Sequence, residues 1–273
     1  MPTDIKNALD APYELEQDQI DLYQKNGFIK LKNVLSQEMI DAFEPAITSV
    51  VRDKGQKTEL EERDTYGKAF HQVSNIWETC ETVKEFVFSK RVAKIAANLM
   101  GCSGVRMYHD QALYKEPGGG FTPWHADQQY WPLTTQNCVT AWMPLQAVPS
   151  NMAPLEFAIG SHQADLGRNL EISDDSEKEI RKNVFDGNYD VESGPFELGE
   201  ISFHAGWCFH RAAGNDTDGE RKVMTIIYID ENMLLKKPEN GNQQNDWGTW
   251  LPGVEIGAVC DSPKNPVLWS SNA

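Results

Sequence analysis

Pro123-Trp124-His125-Ala126-Asp127-Gln128-Gln129-Tyr130-Trp131-Pro132 is the stretch around which the rest of the chain is organised. His125 and Asp127 stand two residues apart, and on an extended strand such residues face the same side. An imidazole and a carboxylate on one face, joined by a second histidine from elsewhere, form the two-histidine, one-carboxylate set. That set leaves open positions on Fe(II) for oxygen and an organic cosubstrate. A lone His-x-Asp pair also fits two solvated polar residues at a strand end, so the remainder of the chain has to decide.

Composition bounds the answer. The chain has 273 residues, 40% of them hydrophobic and 10% aromatic, which suits a folded domain with a sizeable core. Its 25 Lys and Arg against 41 Asp and Glu give a net charge of −16. Such a surface argues against nucleic acid and anionic membranes as partners. Cys80, Cys102, Cys138, Cys208 and Cys260 are odd in number and dispersed, with no Cys-x-x-Cys, as expected of reduced thiols rather than disulfides or a structural zinc site. No signal-peptide pattern opens the sequence, and no apolar run approaches the roughly 18 residues of a membrane span. The expectation is a soluble, cytoplasmic protein acting on a small molecule; oligomeric state is not readable.

Residues 14–25 form a short amphipathic pattern that Gly27 would end, and 28–35 alternate as a strand does. Ser36 is placed to cap a helix reaching about Val51, and 52–68 are charged and loop-like. Lys84 to Met100 reads as one helix stopped by Gly101. Beyond it come short apolar or alternating runs at 105–115, 121–131, 138–148, 155–160, 195–204, 206–212 and 222–230, broken by Gly, Pro and Asn, as in a sandwich or barrel. Residues 163–194 read as a surface insert or lid, with or without a short helix. The tail at 241–273 is loop-like, docked by Trp247, Trp250 and Trp269. No linker divides the chain, so 1–273 reads as a single domain. The Gly-rich run Lys115 to Gly120 lacks the Gly-Lys-Ser/Thr of a phosphate loop and reads as a mobile loop near the site mouth.

The segment Gly199-Glu200-Ile201-Ser202-Phe203-His204-Ala205-Gly206-Trp207-Cys208-Phe209-His210 holds two candidates for a third ligand, His204 and His210. Arg221 follows His210 by eleven residues and opens another strand. A guanidinium beside an iron site suits a dicarboxylate, because its planar fork pairs bidentately with a carboxylate and stays charged. Together with Asp110 to Gly118 and Leu155 to His162, these segments resemble the phytanoyl-CoA dioxygenase family, a branch of the Fe(II)/2-oxoglutarate-dependent oxygenases. The resemblance runs from Asn26-Gly27-Phe28 to the Asn265-Pro266-Val267-Leu268 tail.

The resemblance implies a mainly β fold with flanking helices, a double-stranded β-helix or jelly-roll of cupin-like form. It implies His125, Asp127 and His210 as iron ligands, His210 being preferred to His204 for its spacing to Arg221. It implies Arg221 as the grip on the far carboxylate of 2-oxoglutarate, with Trp142 lining the cosubstrate pocket and Gln111 touching the cosubstrate. Gln72 falls near a position that is Lys in some members, a charge Gln cannot supply, and Ala212 falls where Ser is common. His204 is left as a hydrogen-bonding neighbour. Trp142 also fits plain core packing, and both glutamines fit buried amides. The implied cofactors are Fe(II), 2-oxoglutarate and O2. The implied reaction is hydroxylation of an aliphatic C–H in a small metabolite, with release of succinate and CO2. Halogenating relatives carry a small residue at the Asp127 position, so the carboxylate favours hydroxylation over halogenation. Desaturation, epimerisation or cyclisation are alternatives, as is a non-catalytic metal-binding jelly roll. The acidic chain lacks a basic patch for the phosphates of an acyl-CoA, which favours a free metabolite.

Overall fold

The computed structural model describes residues 3–272 except 56, 57, 64, 166, 187 and 188. Eleven strands are present among the described residues: β1 Phe28–Leu31, β2 His71–Ser74, β3 Gly104–Tyr114, β4 Thr122–His125, β5 Cys138–Pro144, β6 Leu155–Ala158, β7 Val191–Ser193, β8 Ile201–Ala205, β9 His210–Ala212, β10 Val223–Asp230 and β11 Val267–Ser270. They pair antiparallel in two sheets. The larger runs β1-β8-β5-β10-β3-β11, with β2 also on the long β3, and the smaller runs β4-β9-β6-β7. This is the expected jelly-roll, reached through non-consecutive neighbours. The helices are α1 Thr3–Asp10, α2 Gln17–Asn26, α3 Gln37–Lys54, α4 Thr65–Ala69, α5 Glu81–Val87, α6 Lys90–Met100, α7 Asp174–Asp186 and α8 Gly241–Trp250. No helix among the described residues is long and apolar enough to cross a membrane.

Side chains alternate between the faces of the larger sheet and so sort themselves into two environments. Ala112 and Tyr114 on β3, Ala141 and Met143 on β5, Phe203 on β8, and Met224, Ile226 and Tyr228 on β10 share one core with Ile40, Phe43 and Ile47 of α3, Phe86 of α5, and Ile95 and Leu99 of α6. The intervening residues face the smaller sheet. In register they form rows: Gln111, Thr225, Trp142 and Ser202, then His109, Ile227, Thr140 and His204. The polar character of those rows is what the core alone does not explain.

Local chemistry sets the helix ends. Gly27 closes α2 at φ 80°, and Ser36 caps α3 by accepting from the Met39 amide. Residues 84–100 are not one helix. Ser89 accepts from the Val92 amide and donates to the Leu9 carbonyl at 2.9 Å, so α5 ends and α6 starts anew. The charged segment 52–68 carries the end of α3 and the start of α4. The tail is not wholly loop: Asn240 accepts from the Gln243 amide and starts α8, whose Trp247 and Trp250 pack near Leu235, Leu251 and Val254. Residues 115–120 are tied down, with Asn215 donating to the Lys115, Glu116 and Gly219 carbonyls.

Candidate metal centre

His125 and His210 face each other directly across the β4/β9 pair, their ring centroids 4.2 Å apart. Each ring is oriented by the backbone two residues before it. His125 Nδ1 lies 2.7 Å from the Pro123 carbonyl, and His210 Nδ1 lies 3.0 Å from that of Cys208. A carbonyl oxygen only accepts, so each Nδ1 carries the proton and each Nε2 presents a lone pair. Burial, and then the neighbouring His210 ring, push the His125 pKa down to about 4. Burial and His204 do the same to His210. Both rings are therefore neutral at physiological pH, as metal ligation requires.

The strand β4 ends at His125, and Asp127 opens a short 3-10 turn; extended Ala126 between them keeps both side chains on one side. Asp127 Oδ1 stands 3.6 Å from both His125 Nε2 and His210 Nε2. Its other oxygen is engaged elsewhere. Thr140 Oγ1 donates to Oδ2 at 2.8 Å, and His204 Nε2 donates to the same atom at 3.3 Å. Burial raises the Asp127 carboxyl, but His210, the His204 hydrogen bond and His125 outweigh it and hold the group well below the usual carboxylate range. The candidate ligand atoms lie within 4.8 Å of one another. Donors sharing one ion at roughly 2.0–2.2 Å need little further approach to close on it. Two imidazoles and one carboxylate oxygen, on one side of the ion, are the donor set of a non-haem iron site.

These residues line a cavity of about 460 Å³ between the sheets, and Arg221, Trp142, Gln111 and Gln72 line it too. Arg221 is 1% exposed. Its Nη1 donates to the Ala153 carbonyl and its guanidinium lies 5.3 Å from the Trp142 ring, while Nε has no partner. No carboxylate pairs with it among the described residues. Burial pushes its pKa down to about 9, so it stays charged at neutral pH. Gln72 Nε2 donates to Gln111 Oε1, so the two amides hold each other at the cavity edge.

The insert divides in two. Glu171 and Ile172 line the cavity, whereas α7 packs over the outer face of the smaller sheet through Ile180, beside Trp124 and Phe209. Glu177 of α7 accepts from the Trp124 amide at 2.6 Å and pairs with Arg211, next to both candidate ligand histidines. The tail meets the insert at the mouth, where Asn242 Nδ2 donates to Glu171 Oε2 at 2.9 Å. Thr140, Glu171, Asn242, Asn245 and Asp246 were missed in the sequence. Only the spacing that puts Thr140 two places before Trp142, on the same face of β5, could have pointed to the first.

The chain is similar to known proteins over most of its length. It is 24% identical over 259 residues, 85% of this chain and 73% of the relative, to the peroxisomal phytanoyl-CoA dioxygenase of Bos taurus. Among solved structures it resembles the non-haem α-ketoglutarate-dependent carbocyclase SnoK from nogalamycin biosynthesis (TM-score 0.76, 21% identity, 94% of this chain and 99% of that one). It likewise resembles EctD from S. alaskensis, solved with 2-oxoglutarate and 5-hydroxyectoine (TM-score 0.70, 16% identity, 92% and 93%). The family model for phytanoyl-CoA dioxygenase matches residues 23–223, most of the chain, and the protein belongs to that family.

Proposed function

We propose that the protein is an Fe(II)/2-oxoglutarate-dependent dioxygenase that hydroxylates an aliphatic C–H of a small-molecule metabolite, releasing succinate and CO2. The observation that carries this reading is a buried guanidinium, Arg221, without a counter-charge among the described residues, in the same cavity as His125, Asp127 and His210. An isolated buried charge is expensive unless something pairs with it, and a dicarboxylate cosubstrate would do so.

In this reading His125, Asp127 and His210 hold the iron. Iron bound there with 2-oxoglutarate would supply the oxidant, coupling decarboxylation of the keto acid to oxidation of the substrate. The chain's own part is geometric and electrostatic. The Pro123 and Cys208 carbonyls fix the tautomers that turn Nε2 to the metal. Thr140 and His204 occupy Asp127 Oδ2 and leave Oδ1 for the ion. Arg221, backed by Trp142, receives the far carboxylate in a site where little water screens the pair. Leu113, Leu155 and Ala212 line the dry part of the cavity and exclude water from the reacting atoms. Gln111 and Gln72 are candidates for further polar contacts to the cosubstrate.

The test is anaerobic titration with Fe(II) and 2-oxoglutarate, following the visible charge-transfer band of the chelate. The wild type gives the band, His210→Ala abolishes it, and Arg221 variants need far more 2-oxoglutarate to reach it. Absence of the band in the wild type refutes the reading. A carbocyclase and an epimerase share this fold, so product mass then identifies the outcome: one oxygen gained, two hydrogens lost, or no change.

A further inference from the structure

The cavity has two poles. Just beyond the ends of β3 and β10 Arg221 pairs its backbone with Lys115, and six residues along, within those strands, Ile227 pairs with His109. Six residues of strand span roughly 20 Å. The row of Gln111, Thr225 and Trp142 lies between them. The far pole is built differently from the Arg221 end. His109 packs against Trp250 with centroids 4.6 Å apart and rings tilted by 31°, and neighbouring Tyr108 donates its hydroxyl to Asp246 Oδ2 at 3.3 Å. Trp250 and Asp246 sit one turn apart on α8. Glu171, Tyr130 and Trp131 complete this wall.

Two features of the wall ask for a ligand. Asp246 has no cation partner among the described residues, and burial raises its carboxyl to about 7, as befits an acid lacking a counter-charge. His109 is 6% exposed and lines the cavity. Its Nδ1 lies 3.4 Å from the Asp110 carbonyl, and its other ring nitrogen has no partner among the described residues. Arg221 is the sole Lys or Arg among the residues lining the cavity. Lys264 lies over the Trp250 ring at 5.6 Å but pairs with Glu78 and is outside the lining.

We propose that this outer pole is a cation seat, and that the substrate oxidised here carries a protonated amine held by Asp246, with Glu171 beside it and aromatic rings around it. An ammonium supplies the charge that Asp246 lacks and is favoured near Trp and Tyr rings. A neutral polyol would leave the carboxylate unpaired. The phosphates of an acyl-CoA would meet two acidic groups. Only the placing of the cation on the substrate rests on the oxygenase reading; the seat itself rests on the wall.

The experiment uses the full chain loaded anaerobically with Fe(II) and 2-oxoglutarate, with tryptophan fluorescence as the binding signal. The probes are cyclohexylmethylammonium, its neutral isostere cyclohexylmethanol, and methyl glucoside. The ammonium is expected to bind at least about tenfold tighter than the alcohol, and Asp246→Asn to remove that difference. Glu171→Gln, on an exposed side chain, is expected to weaken ammonium binding by about threefold and supplies the test if Asp246→Asn does not fold. Equal binding of the alcohol, tighter binding of the glucoside, no saturable binding of the ammonium, or a preference that survives Asp246→Asn each overturns the proposal. The iron–2-oxoglutarate band is read in the same wild-type samples. Ammonium preference without the band keeps the seat and removes the oxygenase reading.

Discussion

Replacing Arg221 with methionine should move cosubstrate affinity and cofactor-free stability independently of each other. Among the described residues the guanidinium, 1% exposed, has no carboxylate partner and holds only the Ala153 carbonyl and the Trp142 ring. Methionine removes a desolvation penalty of several kcal/mol. It also forfeits one charge-assisted hydrogen bond, about 1.5–3 kcal/mol, and a cation–π contact of up to about 2 kcal/mol. These terms nearly cancel, so the cofactor-free midpoint should stay within about 1 kcal/mol, some 2–4 °C in Tm, of the wild type. Cosubstrate binding has no such compensation. Truncating one member of a buried charge pair costs about 2–5 kcal/mol, so KM for 2-oxoglutarate should rise at least about thirtyfold. Urea denaturation of the metal-free protein and succinate release against 2-oxoglutarate concentration measure the two sides. A stability loss above about 3 kcal/mol with an unchanged KM would show that Arg221 is a structural tie and refute the anion-seat argument.

Thr140→Val preserves shape but removes the hydroxyl that donates to Asp127 Oδ2, and should weaken Fe(II) binding by about tenfold in an anaerobic titration. His109, whose pKa burial pushes down to about 4, gives a pH-dependent contribution. The folded value lies below the unfolded one, so the stability it brings is full above about 6.5 and is lost as pH falls towards 4. His109→Phe should flatten that acid limb by up to roughly 3 kcal/mol in urea denaturation. Glu177→Ala unties α7 from Trp124 and Arg211; limited proteolysis should then cut 163–194 faster, and an unchanged cutting rate would count against the tie.

Eight of the eleven strands were legible as short apolar or alternating runs broken by Gly, Pro and Asn; β2 offers only four residues, and β7 and β11 lie in segments that read as insert and tail, so these three were not. His125 and Asp127 were legible as a spacing, His210 and Arg221 through the family resemblance, and the structure brings all four to one cavity. What local spacing does not carry is register. Thr140 stands opposite His204, and so shares Asp127 Oδ2 with it, only because β5 lies beside β8 in a set alignment, and Asp246 reaches the cavity through a helix the sequence hid. That helix starts from an Asn240 cap in a polar run without apolar periodicity. The break between α5 and α6 was hidden for a related reason: Ser89 caps α6 within a segment whose apolar residues continue on both sides.

The cavity's walls come from two kinds of chain. The metal-facing residues belong to strands, or to the turn that directly continues one, while Glu171, Ile172 and the residues of α8 belong to the insert and the tail. Substitutions in those two segments can therefore alter which molecule is accepted without disturbing the strand pairing that aligns His125 with His210. A library confined to residues 171–172 and 242–250 would explore new substrates against a constant oxidising centre. One confined to β4, β5 and β9 would mostly sample proteins that no longer hold metal.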